Sequence, residues 1–301
     1  MPHSIRVSQE VDVNFRSQTI DLGPLTLHIR TAGDPSNPTL LLLHGLGSTS
    51  HIWDLLAPHL VERFRLVAPD QRGHGRSGKP ASGYGWEEVC SDAVRLLDHL
   101  GVPSAHVMGH SWGGDVALEL ATRHPDRVAA LGLIDGGIID FQAHLSWPEA
   151  ARLLEPMDVW GMTLPELEHA IDGWLTSLPS PEQRQIILAN YERRADGTVA
   201  PWLARDANME IARALWEHRP PQLYPSVRAP TLMVHALPPE PRSPEDERFV
   251  SWRSDCATAA ERGIARVAVV RYRDTVHDVP LQRPQQLAAD WQALLTTFAV
   301  T

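Results

Sequence analysis

Residues Gly109-His110-Ser111-Trp112-Gly113 set a serine between two glycines, directly after the apolar run 105–108 and directly before a segment, 112–123, whose apolar residues recur at helical spacing. A chain that passes from strand to helix across one serine must take a tight, strained turn there. The flanking glycines let neighbouring backbone pack close, and the serine hydroxyl is left exposed at the strand's C-terminal edge. The feature therefore constrains fold and chemistry together: it calls for a sheet whose strands feed helices, with Ser111 as a nucleophile at the sheet's edge. Amides at the start of the following helix would face any negative charge developing on a bound substrate.

The rest of the chain agrees with such a sheet. Short apolar runs at 25–30, 39–43, 65–68, 105–108, 128–134, 231–235 and 266–272 read as strands, and 51–63, 86–100, 112–123 and 282–298 read as helices. Their alternation predicts an α/β fold with a mostly parallel central sheet flanked by helices. It is interrupted between about residues 138 and 222, where no strand-like run occurs and the sequence is helical and Pro-punctuated. This reads as an inserted helical cap (138–222) on a core domain made of 1–137 and 223–301. Trp147, Trp160, Trp174, Trp202 and Trp216 lie in it with Met157, Met162 and Met209, as packing for small helices or as walls of a substrate pocket. The stretch 237–244, LPPEPRSP, reads as a loop.

Composition removes several classes of function. With 301 residues, 43% of them hydrophobic, the chain can bury a large core. A formal net charge of -10 and the lack of a basic run argue against nucleic acid as a partner. Cys90 and Cys256 are the only cysteines and have no metal-type spacing, so neither a disulfide framework nor a metal site is expected. The first fifteen residues lack the apolar core of a signal peptide, and no segment is long enough to span a bilayer. A cytoplasmic protein acting on a small molecule, away from membranes, is expected.

A glycine-rich turn, His44-Gly45-Leu46-Gly47, follows the strand-like run 39–43, where this architecture supplies a second backbone donor for an oxyanion. The two donors are assigned to the amides of Leu46 and Trp112. In chain order, His44-Gly45, the run Pro69-Asp70-Gln71-Arg72-Gly73-His74-Gly75-Arg76-Ser77, Gly109-His110-Ser111-Trp112-Gly113-Gly114 and a late His277 resemble the capped α/β-hydrolase superfamily. That resemblance implies a structural role for the Asp70–Gly75 loop. It also implies a general base at His277, which follows the last expected strand in Thr275-Val276-His277-Asp278.

Many relatives carry the acid after the strand that follows the cap, but the residues there are His235-Ala236-Leu237-Pro238-Pro239-Glu240, with no Asp. Asp135, at the end of 128–134 as in haloalkane dehalogenases and certain lactonases, is preferred to Glu240 because α/β sites gather at strand C-terminal edges. The implied activity is hydrolysis of a carboxylic ester or lactone of a small hydrophobic or aromatic substrate through an acyl-enzyme, with no cofactor. Relatives that dehalogenate or open epoxides have Asp where Ser111 stands. Carbon–carbon bond hydrolysis and aminopeptidase action share the serine machinery, and a small-ligand receptor on the same fold would be set apart by its lack of repeated turnover.

Overall fold

The computed structural model describes residues 13–174 and 179–300, and the side chain of Trp174, one of the tryptophans considered for the pocket, lies outside the described residues. Strands and helices are numbered in chain order. Eight strands form one sheet: β1 (Arg16–Asp21), β2 (Thr26–Ala32), β3 (Thr39–Leu43), β4 (Arg65–Pro69), β5 (Ala105–His110), β6 (Val128–Ile134), β9 (Thr231–Ala236) and β10 (Val267–Tyr272), while β7 (Tyr191–Arg193) and β8 (Val199–Pro201) pair separately. The spatial order is β1-β2-β4-β3-β5-β6-β9-β10. β2 runs antiparallel to β1 and β4, and every other neighbouring pair in the sheet is parallel.

A strand buried on both faces sends alternate side chains to opposite sides, and the four leucines of β3 do so. Leu41 and Leu43 join a core with Val89, Leu96, Val116 and Leu120, whereas Leu40 and Leu42 join one with Trp53, Leu56, Leu287 and Trp291. The first cluster packs α1 (Trp86–His99) and α2 (Trp112–Arg123) against the sheet, and the second packs α11 (Pro284–Thr297) on the other face.

Between β6 and β9 the chain forms α3 (Phe141–His144), α4 (Trp147–Leu153), α5 (Leu164–Trp174), α6 (Pro181–Leu188), α7 (Arg205–Glu217) and α8 (Pro220–Leu223). This insertion has a small core of its own in Val159, Leu167, Ile171, Leu188 and Val199. It also holds the β7–β8 hairpin, which the sequence did not announce because three-residue strands are too short to show alternation. After β9 come α9 (Pro244–Gly263) and, beyond β10, α10 (Val279–Gln282).

Two further departures have local causes. Residues 51–63 form separate 3₁₀ turns, Ser50–Trp53 and Ala57–His59, instead of one α-helix, because Pro58 has no amide for the helical ladder. The apolar residues Ile52, Trp53, Leu56 and Leu60 that suggested a helix are nevertheless buried. β1 was not expected because it is an edge strand with only Ile20 buried.

Candidate active site

Ser111 is the hinge between β5 and α2. Its backbone lies in the left-handed region, at φ 54° and ψ −128°, a conformation costly for a residue with a side chain. The glycines around it are sterically required. A Cβ on Gly109 would collide with the Gly113 carbonyl, and one on Gly136 with the Ser111 carbonyl. The turn thus projects the Ser111 hydroxyl above the sheet, and the Ser111 amide is tied to Ile134 O at 3.0 Å.

Asp135 stands at the end of β6, also with positive φ (45°), and its side chain is fully buried. Its Oδ1 accepts the Ala236 amide at 3.0 Å. Its Oδ2 is 2.7 Å from His277 Nδ1 and 2.7 Å from Arg253 Nη1. His277 lies in the loop between β10 and α10, with Nε2 2.8 Å from Ser111 Oγ. The ring is held by its own backbone, since the His277 carbonyl accepts His110 Nε2–H at 2.9 Å. Ser111, His277 and Asp135 therefore form one hydrogen-bonded run from three strand ends.

The electrostatics of this run follow from its partners. Burial pushes the Asp135 carboxyl up, but hydrogen bonding to His277 and the Arg253 charge outweigh it and hold the group at about 2. Desolvation disfavours the His277 imidazolium, yet the hydrogen bond and charge of Asp135, with Asp278 nearby, raise His277 above its ordinary value. Arg253 opposes that rise. Burial and the neighbouring His277 charge push His110 down to about 4, so it donates from a neutral ring.

Leu46 and Trp112 line the same cavity as Ser111, and among the described residues no protein acceptor takes either amide. The turn that carries Leu46 is pinned from beneath. The Gln71 amide donates to His44 Nε2 at 2.9 Å, Gln71 Nε2 donates to His44 O at 2.7 Å, and the Gly47 amide donates to His74 Nε2 at 3.2 Å. Asp70 accepts the amides of Ser50 (2.9 Å) and Arg76 (3.0 Å), and Arg72 is bound to Asp92. The Asp70–Gly75 loop thus braces the turn without reaching the serine. Glu240 is not brought to His277: its side chain is 73% exposed beside Arg242 on the loop before α9.

Arg253 is the residue that the sequence reading missed. It sits on α9, whose start was marked by Ser243-Pro244-Glu245-Asp246, a capping box with Pro at the first helical position. Phe249, Arg253, Cys256 and Ala260 share one helical face, so a lone cation on an otherwise apolar stripe signalled a buried acidic partner.

Two cavities meet at Ser111 and His277. One, of about 470 Å³, is walled by Ile138, Ile139, Phe141, Leu215 and Phe249. The other, of about 440 Å³, is walled by Ile52, Met157, Ile171, Ile187 and Leu281. Leu46, Leu153 and Leu154 border both. None of Trp147, Trp160, Trp202 and Trp216 lines either cavity, contrary to the pocket role considered for them. Trp216 donates to Leu145 O and packs near Trp147, and Trp202 donates to Ala189 O, so these rings hold the insertion together. No helix among the described residues is long and apolar enough to cross a membrane.

Comparison with known proteins agrees with this architecture. The family profile of the alpha/beta hydrolase fold matches residues 38–284. The chain is 32% identical, over 73% of its length and 77% of the relative's, to a 2-(acetamidomethylene)succinate hydrolase of Mesorhizobium japonicum. The crystal structure of an E-2-(acetamidomethylene)succinate hydrolase superposes with a TM-score of 0.75 at 26% identity, covering 94% of this chain and 100% of that one. A fluoroacetate dehalogenase of a Burkholderia species is 35% identical over 40% of this chain and 41% of its own. With the sheet order, the strained serine turn, the family match over residues 38–284 and these likenesses in agreement, the chain belongs to the α/β-hydrolase family.

Proposed function

We propose that the protein is a serine hydrolase that cleaves a carboxylic ester through an acyl-enzyme, with lactones as the related cyclic substrates. The observation that carries this reading is the run from Asp135 through His277 to Ser111, at 2.7 and 2.8 Å, ending on a serine held in a strained turn. Ser111 Oγ attacks the substrate carbonyl while its proton passes to His277 Nε2, and Asp135 holds the imidazolium so formed. The negative charge moves to the carbonyl oxygen, which the amides of Leu46 and Trp112 receive; one such donor is worth on the order of 10²–10³ in rate. Collapse breaks the bond to the alcohol, which leaves with the proton from His277. Water, deprotonated by His277, then attacks the acyl-enzyme, and as the acyl–oxygen bond breaks His277 returns that proton to Ser111 Oγ, which releases the acid and restores the enzyme.

Family membership supports hydrolysis in general; Ser111, an alcohol where a dehalogenase or epoxide hydrolase of this fold uses a carboxylate, favours acyl transfer. The relative named for 2-(acetamidomethylene)succinate acts on a molecule whose succinate part has two carboxyl groups, and a site for it calls for free cations. Here Arg253 is committed to Asp135, which favours a neutral ester. Turnover of p-nitrophenyl esters is the test. Ser111→Ala should lower kcat by on the order of 10⁴ or more, and retention of most activity would refute the assignment.

A further inference from the structure

Resting on the serine-hydrolase reading, we infer that the substrate is an uncharged, open-chain ester with two apolar halves, each held in its own chamber on either side of Ser111. The first ground is position. Both cavities include Ser111 and His277, so the scissile carbonyl has an apolar space to either side, and Leu153 and Leu154 at the end of α4 stand over the junction. The walls also come from different parts of the molecule. Ile138 and Ile139 in the loop after β6, with Phe249 of α9, shape the first chamber. Ile171 of α5 and Ile187 of α6 shape the second. Each of these volumes falls in the range that accommodates a small organic group.

The second ground is charge. Among the described residues, the first chamber is lined by Asp115, Asp135 and Asp246 against the single cation Arg253, whose Nη1 lies 2.7 Å from Asp135. The second has Glu155 and Asp278 and, among the described residues, no Lys or Arg. Asp115 and Glu155 are themselves paired, with His218 and Arg205, but neither pairing leaves a cation facing the cavity. A carboxylate brought into either chamber would lose its hydration, gain no counter-charge and meet acidic neighbours, whereas an alkyl or aromatic group would gain by burial. A monocyclic lactone, whose acyl and alkoxy arms are tied back on one another, would fill only one chamber.

The test uses two ester series, one extending the acyl chain and one the alcohol, with 4-nitrophenyl pentanoate set against the carboxylate-bearing mono-4-nitrophenyl glutarate. The neutral ester should exceed the anionic one in kcat/KM by about tenfold or more. Ile139→Trp should cut kcat/KM for the longer members of one series by about tenfold and leave the other nearly unchanged, and Ile187→Trp should do the reverse. Ile139→Ala and Ile187→Ala, which add space without risk of overpacking, should extend the accepted length in the same separate series. Variants that change both series alike, or an anionic ester cleaved as fast as its neutral twin, would overturn the two-chamber inference while leaving the serine hydrolase intact. A folded wild-type protein whose Ser111 resists a fluorophosphonate and turns over no ester would overturn the reading beneath it.

Discussion

Asp135 Oδ2 accepts from two donors at once, His277 and Arg253, each at 2.7 Å. The shared oxygen makes Arg253 a positioning residue: it orients the carboxylate and competes with the imidazolium for the same charge. Removing its charge favours the protonated ring, so in Arg253→Gln the acid limb of kcat/KM, set by His277 losing its proton, should move to higher pH. Arg253→Lys should bring it back towards the wild-type position; a profile that falls in height without moving would reduce Arg253 to a packing role. Asp135→Asn should cost on the order of 10⁴ in kcat by the tautomer argument, while Glu240→Gln stays within about twofold of wild type. Equal losses would return Glu240 to consideration. The Ser111 turn, Leu46, Trp112 and His277 were legible from residue types and chain order. Asp135 was preferred from its strand end alone, and Arg253 went unread because its partner lies 118 residues away.

Helix α7 of the insertion ends at His218, which is buried against α2 between Asp115, at 2.9 Å, and Glu119, at 3.2 Å. Burial alone would lower this imidazole, but its two carboxylate neighbours raise it to about 9. A folded value above the unfolded one means that the ion pair contributes its full stability below the unfolded value of about 6.5 and loses it as pH rises through about 9. Thermal melts should therefore show the wild type losing its advantage over His218→Gln between pH 7 and 10; a constant gap would mean that His218 acts through shape. Phe249 and Arg253 bring α9 to the candidate site, and its capping box was available in the sequence. The alternation that revealed the strands could not reveal the β7–β8 hairpin or β1, which lack enough buried positions to show a period.

At the scale of the whole molecule, a net charge of -10 surrounds a candidate site whose walls are mostly apolar and, among the described residues, carry more acidic side chains than the one arginine, Arg253. This long-range field should slow the approach of anionic esters, so their kcat/KM should rise as salt is raised from low ionic strength, while that of neutral esters stays flat. A salt response shared by both classes would remove the field from the account. The α/β class, the order of serine, acid and histidine, and the existence of an insertion were determined by the sequence itself, because hydrophobic period and glycine-bounded turns are local properties that each segment displays alone. Only the tertiary structure decided which acid meets His277, that Arg253 shares it, and that isoleucine, leucine and phenylalanine wall the two chambers instead of Trp147, Trp160, Trp202 and Trp216. Those outcomes depend on which strand ends and helix faces converge, and convergence is set by packing between residues that the sequence places more than a hundred positions apart.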